Sequence, residues 1–270
     1  MIHAVFLSYY PQYIDQGLPE FERILSDLNL NSSLTIVNNN QATSAHLVSH
    51  RVIRGDNTNW EFSGWDSALD VLPPLAPDDY LLLCNDTFNQ HRVWSSGDRS
   101  RFVSAFIQLL ENKGTGMSGE VHQLKSKQTF SVLGRSVDRW VSTYLFGMSS
   151  NIITENRFRL SLPEDVLNNL FLGYGPNGMI FSDELSKNVQ EHIKQWMNPN
   201  GGATSWYKAK TATYDIRTRK IKTILNEMYL AAQCGNNGGV FFNAAPMRPL
   251  RGLIRIRNLI TGRRARYAMR

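Results

Sequence analysis

The sequence predicts an α/β domain built on a mostly parallel sheet flanked by helices, and three observations predict it. The first forty residues alternate strand, helix and strand. Asp79–Cys84 is a nearly continuous apolar run, the pattern of a strand covered on both faces. Finally, 270 residues that are 42% hydrophobic and 11% aromatic suffice to fill the core of one large domain and exclude disorder as the dominant state. No stretch of eighteen apolar residues is present, and the start MIHAVFLSYYPQYID carries neither a basic leader nor a small-residue cleavage site, so a spanning or secreted chain is not expected. Cys84 and Cys234 stand far apart in unrelated contexts, which suits a reducing cytosol and no structural zinc.

Taken in order, His3 to Tyr9 reads as a strand closed by Pro11. Leu18, Phe21, Ile24 and Leu28 recur at helical spacing, and Leu34 to Val37 forms a second strand running into Asn38, Asn39 and Asn40. Polar residues at the carboxyl end of an early parallel strand are where open α/β sheets bind ligands; a solvated turn explains them equally well. Gly55-Asp56-Asn57 and the segment Trp60 to Asp66 lead into a helix bearing Ala68, Leu69 and Leu72, ended by Pro73, Pro74 and Pro77. The strand Asp79–Cys84 stops at Asn85-Asp86-Thr87. Asp98 to Lys113 is a helix with Asp98 as its N-cap. Gly114 to Gly119 spells GxGxxG, but with no helical pattern after it and no Lys-Ser/Thr it is a flexible turn, not a phosphate loop. Trp140 to Met148 is a strand. Helices follow at Ser182 to Met197 and Lys220 to Cys234, with a turn at Asn198 to Gly202 between them.

A carboxylate at the mouth of a buried strand, as at Asp86, can hold a divalent cation through hard oxygen ligands, although an Asp there also serves as a turn or cap residue. His46 and His50 are four apart without a third ligand, so no metal site is expected on them. His91 and Arg92 could touch phosphate, and an exposed loop pair is the plainer reading. Trp60 and Trp65 are expected to pack, with stacking on a sugar as the other possibility.

The middle of the chain resembles the rhamnan synthesis F family of polysaccharide-assembly proteins. Gly55, Asn57, Glu61, Phe62, Gly64, Trp65 and Leu69 match its Gly-Asn…Asp-Phe…Gly-Trp…Leu segment; Leu81 to Leu83 with Asn85, Asp86 and Thr87 match its Leu-Leu-Leu-Asn-Asp-Ser strand end. Ser142 to Phe146 and Asn226 to Leu230 resemble two further motifs, and the resemblance runs from about Ala4 to Phe242. It implies a GT-A-like, Rossmann-like glycosyltransferase domain over residues 1–247, taking a nucleotide-sugar donor, with Asn85-Asp86-Thr87 in place of the usual Asp-x-Asp. One carboxylate where that motif has two means that Mn²⁺ or Mg²⁺ binding at Asp86 is weaker or that cationic side chains replace it. On this reading Asn38, Asn40, Asp56, Asn57, Gly64, Asn85, Asp86 and Thr87 form the donor site. Glu227, matching the family's helix glutamate and the only acidic residue after Asp215, is the candidate catalytic base, or else an ion-pair partner of Lys220 or Lys222. Asp183, with Glu184, is the competitor.

Charge sets the last segment apart. Of 29 basic and 23 acidic residues, eight arginines and no acidic residue lie from Met228 to Arg270, leaving 21 basic against 23 acidic in the rest, a balance of −2. Residues 248–270 therefore read as a basic tail, with Leu253, Ile256, Leu259 and Ile260 on one side of an imperfect amphipathic helix. An anionic membrane surface is the favoured partner, placing the protein in the cytoplasm at the inner face of the membrane; no nucleic-acid-binding motif is present, and none of that partner class is expected. The expected function is sugar transfer to a growing cell-surface polysaccharide or lipid-linked glycan. The rival is a catalytically degenerate binding or scaffold protein of the same fold.

Overall fold

A computed structural model describes residues 1–40, 50–90, 94–124, 128–154, 158–201 and 205–245. His46, His91, Arg92 and the tail 248–270 lie outside the described residues, as does Gly202. The elements in chain order are β1 (Ile2–Ser8), α1 (Pro11–Leu28), β2 (Ser32–Asn38), β3 (Arg51–Arg54), α2 (Trp60–Leu69), β4 (Tyr80–Asn85), α3 (Ser96–Glu111), β5 (Gly116–His122), β6 (Phe130–Val132), β7 (Arg135–Val137), β8 (Trp140–Ser149), α4 (Asn151–Thr154), α5 (Glu164–Leu170), β9 (Phe171–Gly175), β10 (Gly178–Phe181), α6 (Lys187–Trp196), α7 (Tyr214–Asn236) and β11 (Val240–Asn243).

Seven strands form the main sheet in the order β11-β5-β8-β4-β1-β2-β3. The pairs β1/β2, β1/β4, β2/β3 and β5/β11 are parallel, and β8 runs antiparallel to both β4 and β5. Six strands thus share one direction and β8 alone opposes them. This is the mostly parallel, GT-A-like α/β sheet that the sequence predicts. Because β1 lies between β2 and β4, the chain reverses its direction of travel across the sheet there, and the carboxyl edge at such a switch point is where open α/β sheets form a ligand-binding crevice.

Helices cover both faces. On one, Leu18, Phe21 and Ile24 of α1 and Phe102 and Phe106 of α3 pack on Ala4, Phe6, Leu82 and Cys84. On the other, Phe62 and Trp65 of α2 and Leu230 and Cys234 of α7 pack on Val5, Leu7, Leu81, Leu83 and Phe146. Alternate residues of β1 and β4 face opposite helical layers, which is why both strands are apolar without interruption. A third cluster, around Phe130, Phe171, Phe181 and Ile193, sits beneath the two-stranded β6/β7 and β9/β10 hairpins.

Several local readings change. The segment Trp60 to Asp66 is itself helix α2 rather than its approach. Ser95 caps α3, with Asp98 at the third helical position completing a reciprocal capping box, so Asp98 is a partner of the cap and not the cap. Gly116 to Gly119 begins strand β5 instead of forming a turn: Gly119, at φ +150°, marks a register shift against β8, and a Cβ there would lie 2.6 Å from Val141 Cγ1. Helix α6 starts at Lys187, five residues later than expected. The β9/β10 hairpin was not foreseen although it carries a plain turn signal in Gly175-Pro176-Asn177-Gly178, whereas β6, β7 and β11 are three- or four-residue strands with little local signature. Both cysteines are free and buried.

Candidate active site

The crevice at the carboxyl edge is built from the ends of β1, β2 and β4, the turn before α2, the start of α1 and the middle of α7. At its floor Asp86, 1% exposed, accepts hydrogen bonds at Oδ2 from the backbone N–H groups of Tyr9 (2.6 Å) and Tyr10 (2.5 Å). Tyr10 is the N-cap of α1, makes no side-chain cap of its own, and is followed by Pro11, which has no N–H. The carboxylate therefore caps an eighteen-residue helix from across the sheet, at the positive end of its dipole. Burial pushes the Asp86 carboxyl up to about 6; the two amides pull it down, and the nearby Glu61 carboxylate pushes it up again.

Asn85 and Thr87 face each other: Asn85 Oδ1 accepts from the Thr87 N–H (3.2 Å) and hydroxyl (2.9 Å), holding the turn that follows β4. At the end of β2, Asn38 Oδ1 accepts from the Asn40 N–H, and Asn40 Nδ2 donates to the Tyr9 carbonyl, tying that turn to the end of β1. Asn39 points inward. Its Nδ2 donates to the Trp60 carbonyl (3.0 Å) and Asn57 Oδ1 (3.5 Å), while its buried Oδ1 has no partner among the described residues. Gly55 and Gly64 give this amide its space, because a Cβ at Gly55 would lie 1.8 Å from Asn39 Oδ1 and one at Gly64 would lie 2.9 Å from Asn39 Nδ2. The glycines of the sequence motif thus admit close packing around one asparagine. Asp56 is exposed; burial raises its pKa, but hydrogen bonds from Thr58 and Ser63 outweigh that and leave it lowered.

The turn into α2 is strained. Asn57 and Trp60 have φ of +55° and +51°, and an aromatic residue rarely adopts such backbone. This geometry delivers the next residue, Glu61, to the crevice. Burial pushes the Glu61 carboxyl up, Lys220 pulls it down, and Glu227 pushes it up, so the three side chains share one electrostatic neighbourhood. On α7, Glu227 is half-buried and, among the described residues, anchored on one side only: its Oε2 accepts from the Thr143 N–H (2.9 Å) and hydroxyl (2.8 Å) of β8. It makes no ion pair with Lys220 or Lys222 among the described residues; Lys222 pairs instead with Glu164. A carboxylate with one oxygen fixed and the other uncommitted is suited to accept a proton at a defined position.

Asp86, Asn38, Asn40, Asn57, Gly64, Asn85, Thr87 and Glu227 are thus brought to one edge of the sheet. Asp183 is not. Its side chain is 96% exposed, it sits in the turn before α6 and not at that helix's start, and it pairs with Lys187 Nζ at 3.1 Å. Glu184 lies in the same turn. Trp65 is fully buried against Phe62 and Phe146, a packing role, whereas half-buried Trp60 meets Trp206 with ring centroids 6.4 Å apart. His50 bonds Glu22 away from the crevice.

The aromatic and cationic wall was not foreseen. Tyr9, Tyr10 and Tyr13 form a chain of edge-on rings, and the segment Trp206-Tyr207-Lys208 lies beside them. The aromatic pair Trp206-Tyr207 followed by Lys208, four residues after the Gly201-Gly202 pair, was the available signal.

A divalent cation does not fit these residues. Asp86 offers a cation one carboxylate oxygen, its Oδ2 being engaged by two amides, Asn85 Oδ1 is engaged by Thr87, and a cation would face the positive end of α1. Among the described residues no group of three or more histidine, cysteine or acidic side chains could hold a metal.

No family model and no curated protein matches the chain. Among solved structures it is similar to the crystal structure of S. aureus TarS 1–349, with 12% identity and a TM-score of 0.33 over 62% of this chain and 53% of that one. The chain thus spans about half the length of that structure, and a likeness this slight carries no argument about activity. The strand order itself carries the fold.

Proposed function

We propose that the chain is a glycosyltransferase that moves a sugar, a hexose or rhamnose, from a nucleotide-sugar donor to a growing cell-surface polysaccharide or lipid-linked glycan. One observation supports this above the others. The switch point beside β1 gathers the Asn38–Asn40 turn, the Asn57–Glu61 turn and the Asn85–Thr87 turn at one crevice, opposite a glutamate fixed by one oxygen. The donor occupies the crevice along Asn38, Asn40, Asp56, Asn57 and Gly64, and its diphosphate lies toward the start of α1. In an inverting transfer the acceptor hydroxyl oxygen forms a bond to the anomeric carbon as the bond to the diphosphate oxygen breaks. The hydroxyl proton passes to Glu227 Oε1, and the nucleoside diphosphate leaves. The motif resemblance to the rhamnan synthesis F family supplies the polysaccharide context and stands on those residues alone.

At least one of UDP-, GDP-, dTDP- and CMP-sugars is expected to raise the melting temperature and to be turned over when a glycan acceptor is supplied. A panel that leaves melting unchanged would remove donor binding from the proposal. A degenerate scaffold is the second reading, favoured by the capping role of Asp86; it predicts a melting shift without turnover.

Among the described residues no helix is long and apolar enough to cross a membrane. The arginine-rich segment 248–270 is proposed to meet an anionic membrane surface, where a lipid-linked acceptor would lie. Removing residues 249–270 should leave donor binding intact and weaken association with phosphatidylglycerol vesicles in a salt-sensitive way. Equal vesicle binding by the shortened chain would refute the anchor.

A further inference from the structure

We infer that Lys208 and Lys220, together with the aromatic rings they lie over, form the cationic cradle for a diphosphate in this crevice, in place of a metal ion. The identity of that diphosphate, the leaving group of a nucleotide-sugar, rests on the transferase reading above; the cradle itself rests on geometry.

Lys220 Nζ lies 6.0 Å from the centroid of the Trp60 ring, and Lys208 Nζ lies 5.4 Å from that of Tyr207. Trp60 in turn meets Trp206, so the start of α7, the 205–209 segment and the turn into α2 converge on one indole. Lys208 also acts on the Tyr10 hydroxyl, and the Tyr10 N–H is one of the two that hold Asp86. The cations are therefore connected to the floor of the crevice through neighbouring residues.

Neither ammonium group has a carboxylate within ion-pair distance among the described residues. Lys187, Lys194 and Lys222, in contrast, are paired with Asp183, Glu191 and Glu164 respectively. An ammonium over an aromatic face is held only weakly, and all three of its N–H donors stay available to phosphate oxygens. The N-terminal end of α1 adds a favourable potential for an anion where it would oppose a cation. The nearby carboxyls do not cancel this attraction in full, because burial weakens the opposing charge of Glu61 and because Asp86 and Glu227 are each already engaged by two hydrogen-bond donors.

The test is calorimetric titration of the full chain with inorganic pyrophosphate and with UDP, GDP and dTDP, each in EDTA and again with Mn²⁺. Pyrophosphate and at least one nucleotide should bind in EDTA with affinity unchanged by Mn²⁺. Lys208→Ala and Lys220→Ala should each weaken binding about tenfold, the scale of one charge-assisted contact. Lys208→Arg and Lys220→Arg should retain most of the affinity, and Lys187→Ala should change nothing. Melting curves on every variant, with Lys220→Gln as a second neutral replacement, separate loss of binding from loss of fold. Nucleotide binding that requires Mn²⁺, or that ignores both lysines, would overturn the cradle and leave the transferase reading standing. Lysine-dependent pyrophosphate binding with no nucleotide bound would overturn the transferase reading and leave the cradle. No binding of any probe would overturn both.

Discussion

Glu227→Gln is expected to lower sugar transfer by about 10²- to 10⁴-fold while donor affinity and melting temperature stay near those of the parent. The structure makes this substitution unusually clean. The Thr143 N–H and hydroxyl both donate to Glu227 Oε2, and a glutamine side-chain carbonyl can accept the same two hydrogen bonds, so the anchor on β8 persists. What disappears is the proton-accepting charge on the opposite oxygen. Lys222, the alternative ion-pair partner, is held by Glu164 and Asn168 and loses nothing. A fall in melting temperature with turnover reduced only in proportion to folded protein would make Glu227 a structural tie between α7 and β8. Near-normal turnover in a stably folded variant would direct attention to Glu61, which shares its electrostatic neighbourhood, before the solvated Asp183.

The fold was legible because it depends on patterns that neighbouring residues express. Continuous apolar runs mark β1 and β4, since both faces of each are covered, and the Leu18, Phe21 and Ile24 spacing marks α1. Elements that owe their form to distant partners were not legible. β11 is a four-residue strand paired, among the described residues, to β5 alone, and the strand at Gly116 begins inside a glycine-rich sequence whose local preference is a turn. The site divides in the same way. Glycine, asparagine and aspartate at strand ends pointed to the crevice, but residue type alone does not say whether a carboxylate faces outward to a ligand or inward to a helix end. That choice for Asp86 depends on Tyr9 and Tyr10, 77 and 76 residues away in the chain. Lys208 is equally opaque: only the folded crevice places it beside Tyr10 and the wall that Trp60 and Trp206 share.

Asp86→Ala should destabilise the protein as well as abolish transfer, since the carboxylate has the capping role that the sequence leaves open beside metal binding. Two backbone amides at the start of α1 lose their acceptor, and at about 1–3 kcal/mol for each donor left unpaired the cost is about 2–6 kcal/mol, toward the lower end because these amides are only partly buried. The penalty should depend on pH in a direction fixed by burial. The folded-state pKa of Asp86 is about 6, above its ordinary value of 3.8, so the folded protein holds this proton more tightly than the unfolded chain does. The stability gained from that proton is complete below about pH 4 and is lost as pH rises through about 6. The parent protein therefore gives up part of its advantage over the variant on going from pH 5 to pH 8, and the difference in unfolding free energy between them should narrow. Urea denaturation of parent, Asp86→Ala and Asp86→Asn at both pH values measures it, with the asparagine variant intermediate because its carbonyl still accepts from the amides. A gap that widens with pH would mean that Asp86 works as an ionised cap with a lowered pKa. A variant as stable as the parent that no longer binds donor would mean that the carboxylate faces the ligand after all, and that the start of α1 is held by something other than Asp86.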